Sequence, residues 1–174
     1  MKVYFVTHST STDNEAGLAS GWSNPELSET GLKQARELGE RFRDIRIDLA
    51  CSSDLVRAVE TVFIAFGEHF PLIVDKRLRE INYGDFNSKP VDIVNPMKKK
   101  RISIPFSNGE SYEQAIARVQ SFCRELKADH SSKAIIIVGH TATQFALDTL
   151  TGSRSLEECL NEPFEWQPYW EYSL

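Results

Sequence analysis

The sequence predicts an α/β fold, a three-layer sandwich with a mostly parallel central sheet and helices on both faces. Three observations carry this. Short β-branched and aromatic runs alternate with longer segments of helical periodicity along the chain. The run AIIIVG (134–139) is apolar without alternation, as a strand covered on both faces must be. The 174 residues suit one domain with a sizeable core, and no internal repeat or low-complexity segment interrupts the pattern.

The elements follow in order. VYFV (3–6) reads as a buried strand. SETGLKQARELGERFRDI then sets Leu32, Ala35, Leu38 and Phe42 on one helical face, with Ser28 as N-cap. DLACSS (48–53) is a second strand, and DLVRAVETVFIAFG (54–67) a helix ended by Gly67. PLIVDKRL (71–78) is a third strand, and ESYEQAIARVQSFCREL (110–126) a third helix. AIIIVGH (134–140) is the best central strand, TATQFALDTLTG (141–152) a helix closed by Gly152, and PYWEYSL (168–174) an edge strand. Between Phe86 and Asn108 the periodicity is weak and prolines recur, so this stretch is expected to be a lid or binding insertion within a 1–174 domain.

Composition narrows the function. A net charge of −5 argues against a nucleic-acid partner. No apolar run reaches the roughly 20 residues of a membrane helix, and MKVYFVTH enters a strand pattern directly, so a cytoplasmic protein without a membrane partner is expected. Cys51, Cys123 and Cys159 are too scattered for a disulfide framework or a zinc site, and no metal or cofactor is expected. The basic run Lys98–Arg101 reads either as a solvated loop or as an attractor for a phosphorylated substrate. An exposed aromatic C-terminal strand leaves a homodimer open.

Open α/β sheets bind ligands outside the carboxyl ends of their strands. His8 follows VYFVT and His140 follows AIIIVG, which puts both at one sheet edge. His69 and His130 fall at helix ends or in loops. Arg57 stands in the first turn of its helix, where a cation opposes the dipole preference; it serves either an anion or a surface ion pair. Glu80 follows the third strand and reaches the same edge. Two histidines, an arginine and a glutamate there suit phosphoryl transfer. An imidazole attacks phosphorus, cations hold the equatorial oxygens, and a carboxyl protonates the leaving alcohol. A single histidine after a strand is ordinarily structural; the four together carry the reading.

The strings SSDLVRAVET (52–61) and VGHTAT (138–143), in this order, resemble the signatures of the histidine phosphatase superfamily, the phosphoglycerate mutase-like enzymes. THSTSTDN is similar to the first family motif, GWSNPELSETG to the segment leading into the first helix, LREINYGDF to the segment with the acid, and NGESYEQAIARV to a helix start of the phosphatase branch. The resemblance implies that His8 is a nucleophile forming a phosphohistidine, that Arg57 and His140 hold phosphoryl oxygens with Asn14 assisting, and that Glu80 donates the proton. It implies a small phosphorylated substrate and no metal.

The first motif departs from the family. Its arginine before the nucleophile is Thr7, and the glycine after it is Ser9, so hydroxyls and backbone amides replace a charge at the phosphate. A charge-assisted contact is worth about 1.5–3 kcal/mol, or roughly 10- to 150-fold in rate. Three readings stay open: a cation from Lys98–Arg101 replaces the arginine, the phosphatase is slow, or the protein only binds a phosphate ester. Retention of the general acid favours catalysis. A mutase is less favoured, because the region after Glu80 is short for that branch.

Overall fold

In a computed structural model of the chain, which describes residues 1–162 and 164–174, the strands are β1 (Lys2–Thr7), β2 (Leu18–Ala19), β3 (Leu49–Ser52), β4 (Leu72–Val74), β5 (Lys89–Pro90), β6 (Ala134–Gly139) and β7 (Trp170–Ser173). The helices are α1 (Thr12–Glu15), α2 (Glu29–Arg41), α3 (Val56–Phe66), α4 (Val91–Val94), α5 (Tyr112–His130), α6 (Thr141–Thr151) and α7 (Leu156–Asn161). Five strands form the main sheet in the order β4-β3-β6-β1-β7. All neighbours are parallel except β7, which runs antiparallel to β1 at the edge. The three-isoleucine strand β6 is central, as its unbroken apolar run requires.

Strand alternation divides the core into two layers. Val3, Phe5, Leu49, Cys51, Ile135 and Ile137 face α5 and α6. Tyr4, Val6, Ala50, Ile136 and Val138 face α2 and α3, where Leu38, Phe42, Val62 and Phe66 cover them. Each large apolar side chain buried this way contributes about 1.5–3 kcal/mol. The three cysteines are buried and free.

Local chemistry sets the ends. Ser28 caps α2 by accepting from Gly31 N, and Ser111 caps α5 in a reciprocal box with Gln114. Gly152 closes α6 in the left-handed conformation (φ 73°). The third strand is shorter than expected: the Asp75 carboxylate accepts from Arg77 N and starts a 3₁₀ turn over Lys76–Leu78. The third helix instead runs on to His130. The 86–108 stretch folds into β5, α4 and a 3₁₀ segment (Asn95–Arg101), pinned by the buried side chains of Val94 and Phe106. Among the described residues no helix is long and apolar enough to cross a membrane.

Candidate active site

His8 lies one residue beyond β1, with its N–H still bonded to Gly139 O (2.9 Å), and His140 one residue beyond β6. Adjacent parallel strands therefore bring the two rings together, with centroids 5.0 Å apart. Gly139 permits this edge: a Cβ there would meet Thr143 Oγ1 at 2.6 Å, blocking the close return of α6 over the strand end.

The partners of His8 fix its tautomer. Nδ1 stands 2.7 Å from the Ser9 carbonyl, which can only accept, so Nδ1 carries the proton. Nε2 accepts from Arg57 Nε at 3.1 Å, so it carries no proton and its lone pair points at the guanidinium. Desolvation, then the Arg57 charge, pushes the His8 pKa down to about 3. The ring stays a neutral imidazole at neutral pH.

Arg57 is buried to 1% exposure and feels burial as the dominant influence on its charge. Its Nη1 donates to Ser23 O (2.8 Å) and its Nη2 to Gly21 O (2.9 Å), while Nη2 also stands 3.4 Å from His140 Nδ1. Gly21 holds the loop with φ +52°, where a Cβ would strike Asn87 Oδ1. Among the described residues Arg57 forms no ion pair. A guanidinium taken out of water without a carboxylate beside it is a ready partner for an anion.

His140 is 1% exposed, and its Nε2 lies 2.7 Å from Ser53 Oγ. Burial, with the Arg57 charge second, holds it well below the ordinary imidazole range. Glu80 is half-buried, and its Oε1 accepts from Ile81 N (2.9 Å) and Ala142 N (3.1 Å). That anchoring leaves Oε2 as the oxygen able to carry a proton.

A cavity of about 530 Å³ opens here and includes Thr7, His8, Ser9, Asn14, Glu80 and His140 in its wall. Arg57 lies beneath these residues, against His8. Asn14 is only partly available, because its Oδ1 accepts from Ser11 N and Ser11 Oγ (2.9 Å each) in the cap of α1. Ser9 N donates to Thr61 Oγ1 (3.0 Å), fixing the turn after the histidine. His69 and His130 come before β4 and β6, at the opposite sheet edge, and take no part.

Three residues were not singled out by sequence reasoning. Ser53 positions His140. Arg118 donates to the carbonyls of Arg77, Arg79 and Glu80 (2.7, 2.7 and 2.8 Å), holding the segment that presents the acid. Trp22 Nε1 donates to Glu80 O (2.7 Å). Arg118 had a detectable signal, a cation beside Ala115 and Val119 on the buried face of α5. The C-terminal aromatics divide: Tyr169, Trp170 and Tyr172 pack inward on Tyr4, Phe5 and Asp148, while Phe164 and Trp166 line the cavity.

Residues 3–158 match the family described as the histidine phosphatase superfamily (branch 1). A Hydrogenobacter thermophilus protein named phosphoserine phosphatase 1 is 30% identical over 158 residues, covering 84% of this chain and 74% of its own length. A Yersinia pestis protein named "Probable phosphoglycerate mutase GpmB" is 31% identical over 166 residues, covering 87% and 75%. Among solved structures, a mycobacterial glucosyl-3-phosphoglycerate phosphatase in complexes with VO3 is 26% identical, with a TM-score of 0.79, covering 91% of this chain and 85% of its own. The phosphatase relatives support a phosphatase over a mutase, and the match along nearly the whole chain settles the lineage: this protein belongs to the histidine phosphatase superfamily, branch 1.

Proposed function

We propose that the protein hydrolyses a small phosphomonoester through a phosphohistidine on His8 Nε2. The observation that supports this is the contact of Arg57, a buried guanidinium without an ion-pair partner among the described residues, on the unprotonated Nε2 of His8 (3.1 Å). An arriving phosphoryl group satisfies the guanidinium and presents phosphorus to the nitrogen.

In the first step Nε2 attacks phosphorus, the ester P–O bond breaks, and the leaving oxygen takes a proton from Glu80 Oε2. Arg57 donates to the equatorial oxygens and the neutral His140 accepts at Nδ1 from a protonated one, assisted by Asn14 and by the neutral donors of Thr7 and Ser9. In the second step Glu80 takes a proton from water, the water oxygen attacks phosphorus, and the P–N bond returns its electron pair to Nε2.

Thr7 favours a second reading, a phosphate-ester binding protein with little turnover. The anchored Glu80 counts against it, since binding alone needs no acid. Hydrolysis of a chromogenic aryl phosphate by the wild type and by His8→Ala tests the proposal. Release confined to the wild type is expected; equal release from both proteins rules the phosphohistidine out.

A further inference from the structure

Trp22 stands between Arg57 and Glu80. The loop after β2 presents Gly21 O to Arg57 Nη2 (2.9 Å) and Ser23 O to Nη1 (2.8 Å), and Trp22 is the residue between these two carbonyls. Its indole Nε1 donates to Glu80 O at 2.7 Å. The Arg79 guanidinium lies over its ring, 4.7 Å from the centroid, and is itself fixed by two bonds to the Asp54 carboxylate (2.7 and 2.6 Å). The Trp22 N–H donates to Asn87 Oδ1 (3.2 Å), which also accepts from Tyr83 N (3.0 Å). Trp22 is half-buried and stands outside the wall of the His8 cavity, so it acts through these neighbours.

Glu80 O has a second donor, Arg118 Nη2 at 2.8 Å. Arg118 is paired with Glu110 and also holds the Arg77 and Arg79 carbonyls, so it ties the acid segment to α5 without touching the phosphate site. The Trp22 bond runs instead to the loop that cradles Arg57. A guanidinium is planar, and its donors diverge in fixed directions. Turning Arg57 Nε from His8 to a phosphoryl oxygen therefore turns both Nη groups, which draw on the carbonyls either side of Trp22. Glu80 Oε1 is anchored by Ile81 N and Ala142 N, so a small displacement of the Glu80 backbone redirects Oε2.

We propose that Trp22 is a positioning residue that couples occupation of the phosphate site at Arg57 to alignment of the acid Glu80. The indole carries the movement of the Gly21–Ser23 loop to the Glu80 carbonyl, and Oε2 comes to the leaving oxygen when a phosphoryl group is bound. This rests on the phosphatase reading of the His8 cavity, with Glu80 as proton donor.

Leaving groups separate misalignment of the acid from general damage. Phenolate leaves with help from a proton, whereas dinitrophenolate leaves without it. Trp22→Phe keeps a ring beneath Arg79 and removes the Nε1 donor. It is expected to lower kcat/KM for phenyl phosphate about 10-fold, part of the roughly 10²–10⁴-fold that a positioned acid supplies, and for dinitrophenyl phosphate less than about 2-fold. In a Glu80→Gln background the same substitution should leave the ratio of the two substrates unchanged. No loss, equal losses on both substrates, or a ratio that still moves without the acid overturns the coupling. A second readout keeps Trp22 in place. With Trp166→Phe and Trp170→Phe it is the sole indole of the chain, and its emission is expected to change as inorganic phosphate binds, with binding followed by calorimetry. Binding with unchanged emission overturns the coupling. If the wild type hydrolyses neither ester, the phosphatase reading fails. The phosphate titration then judges the link from Arg57 to Trp22 by itself, and absence of binding overturns that link too.

Discussion

Arg57 Nε donates to His8 Nε2 across 3.1 Å, so the guanidinium occupies the lone pair that the proposed attack on phosphorus requires. Substrate oxygens must take over this donor before the nitrogen is free, and the same group holds the Gly21 and Ser23 carbonyls. Arg57→Lys keeps the charge but loses the fork, and kcat is expected to fall about 10²–10³-fold. Arg57→Ala also strips two carbonyls of their donor, at a further cost of about 1–3 kcal/mol in stability. Aryl phosphate kinetics and urea unfolding measure the two effects; near wild-type kcat in Arg57→Lys would remove the arginine from the chemistry.

Ser53 acts one layer behind. Its Oγ lies 2.7 Å from His140 Nε2, both groups being buried. Arg57 Nη2 can only donate, so the ring in this arrangement receives at Nδ1 and donates from Nε2 to Ser53. Ser53→Ala is expected to lower kcat/KM about 10-fold and stability by about 1–2 kcal/mol, through an unpaired buried N–H. The discriminating readout is the ring ¹⁵N shift of His140, which should show mixed tautomers in the variant and one in the wild type. An unchanged tautomer with unchanged kinetics leaves Ser53 as packing only.

How far this site could be read in the sequence follows from what each residue depends on. His8, His140, Arg57 and Glu80 were legible because they stand next to strongly patterned strands and a helix, and sheet topology carries them to one edge. Ser53 and Trp22 act through single long-range hydrogen bonds, which leave no period in the chain. Likewise β2, β5 and α1 are too short, at two to four residues, for periodicity to register. β4 was overextended because Asp75 turns the chain by a side-chain bond, although its apolar run reads as a longer strand.

Thr7 ends β1 opposite Gly139 and lines the His8 cavity. Restoring a cation there adds a charge-assisted donor to the phosphoryl group. Thr7→Arg is expected to raise kcat/KM for an aryl phosphate about 10-fold. Steady-state kinetics decide it: an unchanged or lower value means that the pocket has been rebuilt around threonine and needs no further charge.

The two depressed histidines also predict how the fold responds to acid. His8 titrates at about 3 in the folded protein, and His140 is held well below its ordinary range, both chiefly by burial. In the unfolded chain each titrates near 6.5. Above that value neither state binds the proton and the two sites add no pH dependence. Below it the unfolded chain takes up protons that the folded protein refuses, so stability is lost as pH falls from about 6.5 toward 3. By pH 5 the loss from His8 alone is about 2 kcal/mol, and His140 adds to it in the same direction. Because carboxylates contribute their own acid limb, the test is a comparison: urea unfolding of the wild type and of His8→Ala at pH 7 and pH 5. The variant should lose less stability over this interval, by about the share of one histidine. An identical loss in both proteins would mean that the His8 ring is not kept neutral by the fold.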